Sequence, residues 1–230
     1  MLKPKQTIIA NYEAIIFQNE SAQRDIVLLH GYGANYLDLA SLAQMIPTNL
    51  AYNWWFINAP KQLQAYPGMD CRAWFDIDQD RLLQANRSAN WQTMQDSYGP
   101  QLEKVARDLE VFFIEAKLQG PRTIVGGFSQ GAMVATQVVL TNDKDCLGLL
   151  VFSGAFANAK WPALMKAKYL VPVFQSHGTH DEILPFATGK SLSEEFEKAN
   201  FKKYDFFTFP DGHGIPPSVL EKCSTFINNL

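Results

Sequence analysis

Residues 123–140 read TIVGGFSQGAMVATQVVL, and they give the strongest indication of the fold. Its first part, TIVGG, is short and rich in β-branched residues, so it predicts a strand. Its last part, residues 131–140, is apolar almost all round and predicts a buried helix. Between them, Gly127, Ser129 and Gly131 form the pattern G-x-S-x-G, which requires a strand, a sharp turn and a helix. The pattern alone would occur by chance in roughly one chain of this length in ten to twenty, but here the required setting surrounds it.

Short β-rich runs and helical segments alternate along the rest of the chain, which is typical of a mostly parallel sheet with helices on both faces. Residues 58–95 contain prolines, glycines and many polar residues, and we predict an irregular functional loop there. We expect one α/β domain over residues 1–230. Strands are predicted at residues 14–18, 25–30, 54–57, 123–127, 148–152, 173–177 and 204–209, and helices at residues 35–45, 101–117, 131–140, 187–199 and 218–228.

The composition argues against several classes of protein. The 230 residues carry a net charge of -3, whereas a nucleic-acid-binding protein would normally present a basic stripe. The N-terminus lacks the apolar core of a signal peptide, and no run of about 18 apolar residues predicts a membrane span. Three widely spaced cysteines, Cys71, Cys146 and Cys223, fit neither a disulfide framework nor a metal site. We therefore expect reduced cysteines and a cytoplasmic location.

Ser129 needs a base, because a serine hydroxyl is a poor nucleophile by itself. In serine hydrolases with the G-x-S-x-G turn, the chain order is serine, then acid, then histidine, which excludes His30. His213 lies in a glycine-flanked loop after the last predicted strand, where an imidazole can be held over the serine. We predict His213 as the base, with His177 and His180 as fallback candidates.

The acid should follow the penultimate strand, and Asp181 does so in the segment VFQSHGTHDEILP. A carboxylate there accepts the Nδ1–H of the histidine and stabilises the imidazolium. Glu182 is its neighbouring rival, and Asp211 is a more distant one. We therefore predict a catalytic triad of Ser129, Asp181 and His213.

A second glycine-rich turn, His30-Gly31-Tyr32-Gly33, follows the strand DIVLL. It is similar to the turn that supplies one backbone N–H to the oxyanion hole in lipases and esterases. The second donor would be the amide of Gln130, directly after the serine. His30 is expected to be a structural hydrogen-bonding group in this turn.

With these residues assembled, the chain resembles the phospholipase/carboxylesterase family, which includes the acyl-protein thioesterases. The resemblance covers nearly the whole chain. Its motifs are LLHGYGAN at residues 28–35, NAP at 58–60, GMDCRAWFDID at 68–78, GGFSQGAM at 126–133, HGTHDEILPF at 177–186 and GHGIP at 212–216.

The resemblance implies an α/β-hydrolase fold without a large cap domain, and an enzyme that needs no metal or cofactor. It implies the same triad, with Tyr32 and Gln130 as oxyanion donors. Expected substrates are carboxylic esters or thioesters, including acylated proteins and lysophospholipids, and a homodimer is left open. The alternatives are an amidase or peptidase, and a binding module without activity.

The segment at residues 79–95 departs from the family pattern. Leu82, Leu83 and Trp91 in this segment are candidates to line an acyl groove, together with Met94. Ordinary core packing is the competing interpretation of the same side chains.

Overall fold

The computed structural model describes residues 4–64, 68–143, 145–168 and 170–230. Eight strands form one sheet, and two short strands pair separately as a hairpin. In chain order the strands are β1 (Pro4–Ile9), β2 (Tyr12–Phe17), β3 (Arg24–Leu29), β4 (Tyr52–Ile57), β5 (Lys61–Leu63), β6 (Cys71–Ala73), β7 (Thr123–Phe128), β8 (Gly148–Phe152), β9 (Val173–Gly178) and β10 (Tyr204–Phe209).

The described helices complete an α/β architecture. They are α1 (Leu37–Ala40), α2 (Leu42–Met45), α3 (Gln79–Ser88), α4 (Gln92–Glu115), α5 (Gln130–Thr141), α6 (Trp161–Met165), α7 (Phe186–Lys198) and α8 (Pro217–Asn228).

The main sheet is mostly parallel, with the strand order β1-β2-β4-β3-β7-β8-β9-β10. The antiparallel pairs in this described sheet are the two that β2 forms, with β1 on one side and with β4 on the other. All pairings from β4 to β10 are parallel, so those strands end at the same edge of the sheet. Parallel α/β sheets bind their ligands at this edge, because the loops that follow the strands converge there.

Helices cover both faces of the sheet, as the sequence predicted. One core cluster joins the sheet to side chains from α3, α4, α5, α6 and α7, and the other joins it to α1, α2 and α8. Strand β3 shows the division: Val27 and Leu29 belong to the first cluster, and Ile26 and Leu28 to the second. Successive side chains of a strand point to opposite faces, which explains why a strand covered on both sides is apolar throughout.

The sequence analysis predicted a strand at residues 14–18, which overlaps β2, but missed β1 and therefore the N-terminal hairpin. β1 pairs with β2 through a turn at Ala10 and Asn11, which have φ angles of 47° and 66°. Two consecutive residues with positive φ form the tight turn that suits a hairpin, but glycine usually supplies that conformation. Ala10 gave no such signal. The predicted helix at residues 35–45 is also two short helices, α1 and α2.

The prediction of an irregular segment at residues 58–95 was wrong for its described part, and residues 65–67 lie outside the described residues. It contains the β5–β6 hairpin, all of α3 and the first turn of α4. α3 begins where the Asp78 side chain accepts a hydrogen bond from the Arg81 amide at 3.0 Å, a common N-cap. It buries only Leu82 and Ala85, so its apolar period was too weak to recognise. α4 begins at Gln92 rather than 101 and includes Pro100.

The turn between β7 and α5 lies very close to the end of β3. A Cβ atom on Gly131 would overlap the carbonyl oxygens of Leu29 and His30, and one on Gly127 would overlap the Gly131 backbone. These contacts involve backbone atoms, which cannot move aside as a flexible side chain can. Both glycines are therefore required by close approach and not only by the shape of the turn.

We expect Gly131→Ala to lower the free energy of unfolding by about 1–3 kcal/mol or more, because the added methyl group overpacks a rigid backbone contact. Gly214→Ala is the matched control, since a Cβ there has no atom within 4 Å. Urea denaturation of both variants measures the difference. Equal stability of the two variants would contradict the close-approach interpretation.

Candidate active site

Ser129 lies at the turn between β7 and α5, with φ 55° and ψ -117°. Residues other than glycine rarely adopt such backbone angles, and when they do the strain often marks a functional site. The turn is held from both sides: the Ser129 amide donates to the Phe152 carbonyl at 2.9 Å, and its carbonyl accepts from the Ala132 amide at 3.1 Å. The side chain is thereby lifted to the carboxyl edge of the sheet.

Asp181 and His213 form a short hydrogen bond at the same edge. His213 Nδ1 lies 2.6 Å from Asp181 Oδ2. The other carboxylate oxygen accepts the amides of Ile183 and Leu184, at 3.0 and 2.8 Å. Asp181 is buried, so these bonds replace water and fix the orientation of its carboxylate. With Nδ1 as the donor, His213 Nε2 is left to accept a proton.

The loop that carries His213 is hydrogen-bonded both to the loop that carries Asp181 and to the residue that follows β8. The His180 amide donates to the Asp211 carbonyl at 3.0 Å, and the Ser153 hydroxyl donates to the Gly214 carbonyl at 3.3 Å. The His213 ring also packs on Phe128, with ring centroids 4.7 Å apart. Because Phe128 directly precedes Ser129, this contact sets the imidazole beside the serine turn.

Ser129 and His213 line one cavity of about 330 Å³. Its buried wall is mainly apolar, and exposed residues form its mouth. The buried wall includes Gly31, Leu82, Tyr98, Gln130, Met133 and Leu184, and the mouth includes Asp38, Gln79 and Ile183.

The predicted oxyanion turn lies against the serine. A Cβ on Gly31 would lie 3.4 Å from the Ser129 Cβ and 3.2 Å from the Phe128 ring, so the two turns are in contact. Tyr32 lines the cavity. The turn is held by β6, since the Gly33 amide donates to the Arg72 carbonyl at 2.8 Å and the Arg72 amide to the Ala34 carbonyl at 2.9 Å.

The side chain of Gln130 has a structural role that the sequence did not reveal. Its Oε1 accepts the Trp74 amide at 2.9 Å, and its Nε2 donates to the Phe75 carbonyl at 2.8 Å. The side chain thus ties the segment after β6 to the start of α5. The Gln130 backbone amide is in the first turn of that helix, where amides have no partner within the helix and suit an anionic oxygen.

His30 is a buried hydrogen-bonding group, which agrees with the sequence prediction. Its Nδ1 donates to the Gly31 carbonyl at 2.7 Å, and its Nε2 accepts the Ala59 amide at 3.0 Å. This pairing requires the neutral ring with the proton on Nδ1. Burial lowers the pKa of His30 to about 4. His30 therefore supports the oxyanion turn as a neutral residue.

His177 contacts the same carboxylate as His213. Its Nε2 donates to the Leu184 carbonyl at 2.8 Å and lies 3.3 Å from Asp181 Oδ2. Burial lowers its pKa, so the ring is a neutral neighbour of Asp181 and not a second base. The sequence feature that could have revealed this contact is the position of His177 near the end of β9, four residues before Asp181.

The other candidates are not brought to the His213 ring. His180 and Glu182 are exposed, and Asp211 Oδ1 accepts the Gly212 amide at 2.8 Å. Of the four groove candidates, Leu82 lines the cavity, and Met94 is buried in the core. Leu83 is 52% exposed, Trp91 packs against the core, and neither is among the described lining residues.

Several lining residues escaped the sequence analysis. They come from separate segments, and no periodic pattern marked them. They are Asp38, Ile77, Tyr98, Met133, Ile183 and Leu184.

Within the described ranges, no group of three or more His, Cys, Asp or Glu side chains is arranged to hold a metal ion. In the same part of the chain, no helix is long and apolar enough to cross a membrane.

Comparison with known proteins assigns the family. The model of the phospholipase/carboxylesterase family matches residues 10–230. The chain belongs to the phospholipase/carboxylesterase family. It is therefore a hydrolase of carboxylic esters with the α/β-hydrolase fold and no large cap.

Relatives and solved structures agree with this assignment. The chain is 30% identical to acyl-protein thioesterase 1 of Debaryomyces hansenii, covering 91% of this chain and 92% of the relative. It is 28% identical to acyl-protein thioesterase 1 of Candida albicans, covering 91% and 93%. The crystal structure of esterase PE8 shares the fold, with a TM-score of 0.71, 24% identity and coverage of 99% and 98%.

The buried His30 makes stability depend on pH. Its pKa is about 4 in the folded protein against 6.5 as the ordinary value, so the unfolded chain binds more protons between these two values. The stability that the neutral ring contributes is therefore lost as the pH falls from about 6.5 to 4.

His30→Gln removes this titration, because an amide does not bind a proton in this range. Between pH 7.5 and 4.5, we expect the wild type to lose about 2–3 kcal/mol more of its unfolding free energy than this variant. Urea denaturation at the two pH values measures this loss. His177 is present in both proteins, so its own contribution cancels. An identical pH dependence would show that folding does not lower the pKa of His30.

Proposed function

We propose that this protein hydrolyses acyl esters and thioesters through a triad of Ser129, Asp181 and His213 and a covalent acyl-enzyme intermediate. The observation that carries the proposal is the 2.6 Å hydrogen bond between His213 Nδ1 and Asp181, at a cavity that Ser129 lines from a strained turn. This arrangement leaves one ring nitrogen of a neutral imidazole to serve the serine.

In the first half-reaction, Ser129 Oγ attacks the acyl carbonyl carbon while His213 Nε2 takes the hydroxyl proton. Asp181 stabilises the imidazolium through the bond to Nδ1. The tetrahedral intermediate then collapses, and the carbon–oxygen or carbon–sulfur bond of the substrate breaks. The departing alcohol or thiol takes the proton from His213, and the acyl group stays on Ser129.

In the second half-reaction, a water molecule replaces the leaving group. His213 accepts a proton from the water, whose oxygen attacks the acyl carbon. Collapse of the second tetrahedral intermediate breaks the bond to Ser129 Oγ, which recovers its proton from the imidazolium. The product is a carboxylic acid, and the enzyme returns to its starting state.

We propose the backbone amides of Tyr32 and Gln130 as the oxyanion donors. The contact between Gly31 and the serine turn supports the first, and the helix N-terminus supports the second. The Gln130 side chain is engaged with residues 74 and 75, so it does not compete for the oxyanion. Donors fixed by the backbone stabilise the developing charge without reorganisation.

The apolar wall of the cavity suits the acyl chain. Leu82, Met133 and Leu184 provide this surface without a charged group. The relatives named acyl-protein thioesterase 1 support a thioester-linked acyl protein as the substrate, and the family description also supports a lysophospholipid. The cytoplasm stays the predicted compartment, and a homodimer stays an open alternative.

Ser129→Ala should reduce kcat for a short thioester by roughly 10⁴–10⁶-fold while the protein keeps its fold, because only binding and the oxyanion donors remain. A fluorophosphonate probe should label the wild type and fail to label this variant. Ser218→Ala, an exposed serine on α8, is the control and should be labelled fully. Failure to label folded wild-type protein would instead favour a binding module without activity.

A second prediction separates backbone from side chain in the oxyanion hole. Tyr32→Phe keeps the amide and the whole ring and removes only the hydroxyl group, so it should stay active. If the tyrosine hydroxyl were the donor, its loss would reduce kcat by about 10²–10³-fold. Steady-state kinetics on the folded variant decide between the two donors, and a loss of that size would overturn the backbone assignment.

A further inference from the structure

The mouth of the cavity carries a negative charge that the proposed mechanism does not use. Asp38 is the one described lining residue with a carboxylate, and the other titratable lining residues are Tyr32, Tyr98 and His213. It lies on α1, shortly after the oxyanion turn. The segment is fixed there, because the Tyr36 amide donates to Asn58 Oδ1 at 3.3 Å and the Asp38 amide to the Asn35 carbonyl at 3.1 Å.

The Asp38 carboxylate is exposed at the mouth of the cavity and lacks an ionic partner. None of the ion pairs formed among the described residues includes it. Burial raises its pKa, and no neighbouring cation opposes that effect. Because the carboxylate is exposed at the mouth and has no ionic partner in the protein, a cationic ligand can reach it, and it is a candidate for a binding role.

Most charged residues that neighbour the mouth residues in sequence are also negative. Asp78 and Asp80 flank the lining residue Gln79, and Glu182 precedes the lining residue Ile183. Arg81 is the one cation next to a lining residue of α3. The two sides of this mouth are joined, since Asn86 of α3 donates to the Ile183 carbonyl at 3.2 Å. The rim of the mouth therefore carries the Asp38 carboxylate, and most charged residues next to the lining residues in sequence are acidic.

The leaving group, and not the acyl chain, must meet this rim. The cavity of about 330 Å³ has an apolar buried wall that suits an acyl chain, and a larger leaving group must extend from the mouth into solvent. We propose that Asp38 selects substrates whose leaving group carries a positive charge close to the scissile bond. This inference rests on the proposed function and adds the chemical class of the leaving group.

The test compares two thioesters whose leaving groups have the same shape and differ in charge. Because the ammonium group also makes the thiol a better leaving group, the ratio of the two kcat/KM values is divided by the ratio of the two rates of hydrolysis by hydroxide, and this corrected ratio is the one compared below. Butyrylthiocholine has a trimethylammonium group where 3,3-dimethylbutyl thiobutyrate has a neutral tert-butyl group of the same shape. Both give the same butyryl-enzyme, so kcat/KM isolates the acylation step in which the leaving group is bound. At low salt we expect kcat/KM to be about 5–20-fold higher for the cationic thioester, which corresponds to one partly screened charge pair.

Salt and mutation then assign this preference to Asp38. Raising the ionic strength should reduce the preference in the wild type, because counterions screen a partly exposed charge. Asp38→Asn should bring the ratio of the two kcat/KM values close to one. The control Asp205→Asn changes the net charge equally on β10, outside this cavity, and should keep the wild-type ratio.

A wild-type ratio near one, or an unchanged ratio in Asp38→Asn, would overturn the inference and leave the proposed function intact. Absence of hydrolysis of both thioesters, together with no labelling of Ser129, would overturn both. S-butyryl cysteine peptides flanked by lysine or by glutamine identify the source of the charge. A lysine preference supports a basic polypeptide as leaving group, and a preference confined to thiocholine supports a small ammonium compound.

Discussion

The structure depends on the close approach of two turns at the end of β3. α5 begins so near to the carbonyl oxygens of Leu29 and His30 that Gly131 can carry no side chain. The chain continues from Leu29 and His30 into Gly31 and Tyr32. One backbone contact therefore fixes the serine turn and the predicted oxyanion turn relative to each other. Catalysis by oriented amides needs positions accurate to a fraction of an ångström, and a rigid backbone contact supplies them better than flexible side chains.

Buried neutral histidines support this arrangement from two sides. His30 spans the Gly31 carbonyl and the Ala59 amide, and His177 lies between the Leu184 carbonyl and Asp181. Burial lowers the pKa of both rings, so each keeps one donor and one acceptor at neutral pH. A charged His177 would compete with His213 for the Asp181 carboxylate. Its neutrality therefore leaves the negative charge of Asp181 available to His213, as the proposed mechanism requires.

The central sheet and the catalytic candidates could be predicted from sequence because each has a local signal. Residues 148–152 and 204–209 are strands with the predicted bounds, and the family assignment is confirmed. The segment at residues 58–95 could not be predicted in the same way. Its helix α3 is held by the Asp78 cap and two buried side chains, and only the tertiary structure shows which face is covered.

The same distinction separates the chemistry from the selection of substrates. Ser129, Asp181 and His213 each follow a parallel strand, so the sheet edge brings them together whatever the loops contain. The mouth is built from α1, α3 and the loop after β9. These elements are held together by contacts such as the hydrogen bond from Asn86 to the Ile183 carbonyl. Because those elements lie outside the sheet, their side chains can change with little effect on the geometry of the proposed triad. Specificity for the leaving group should therefore vary within this fold more readily than the reaction itself.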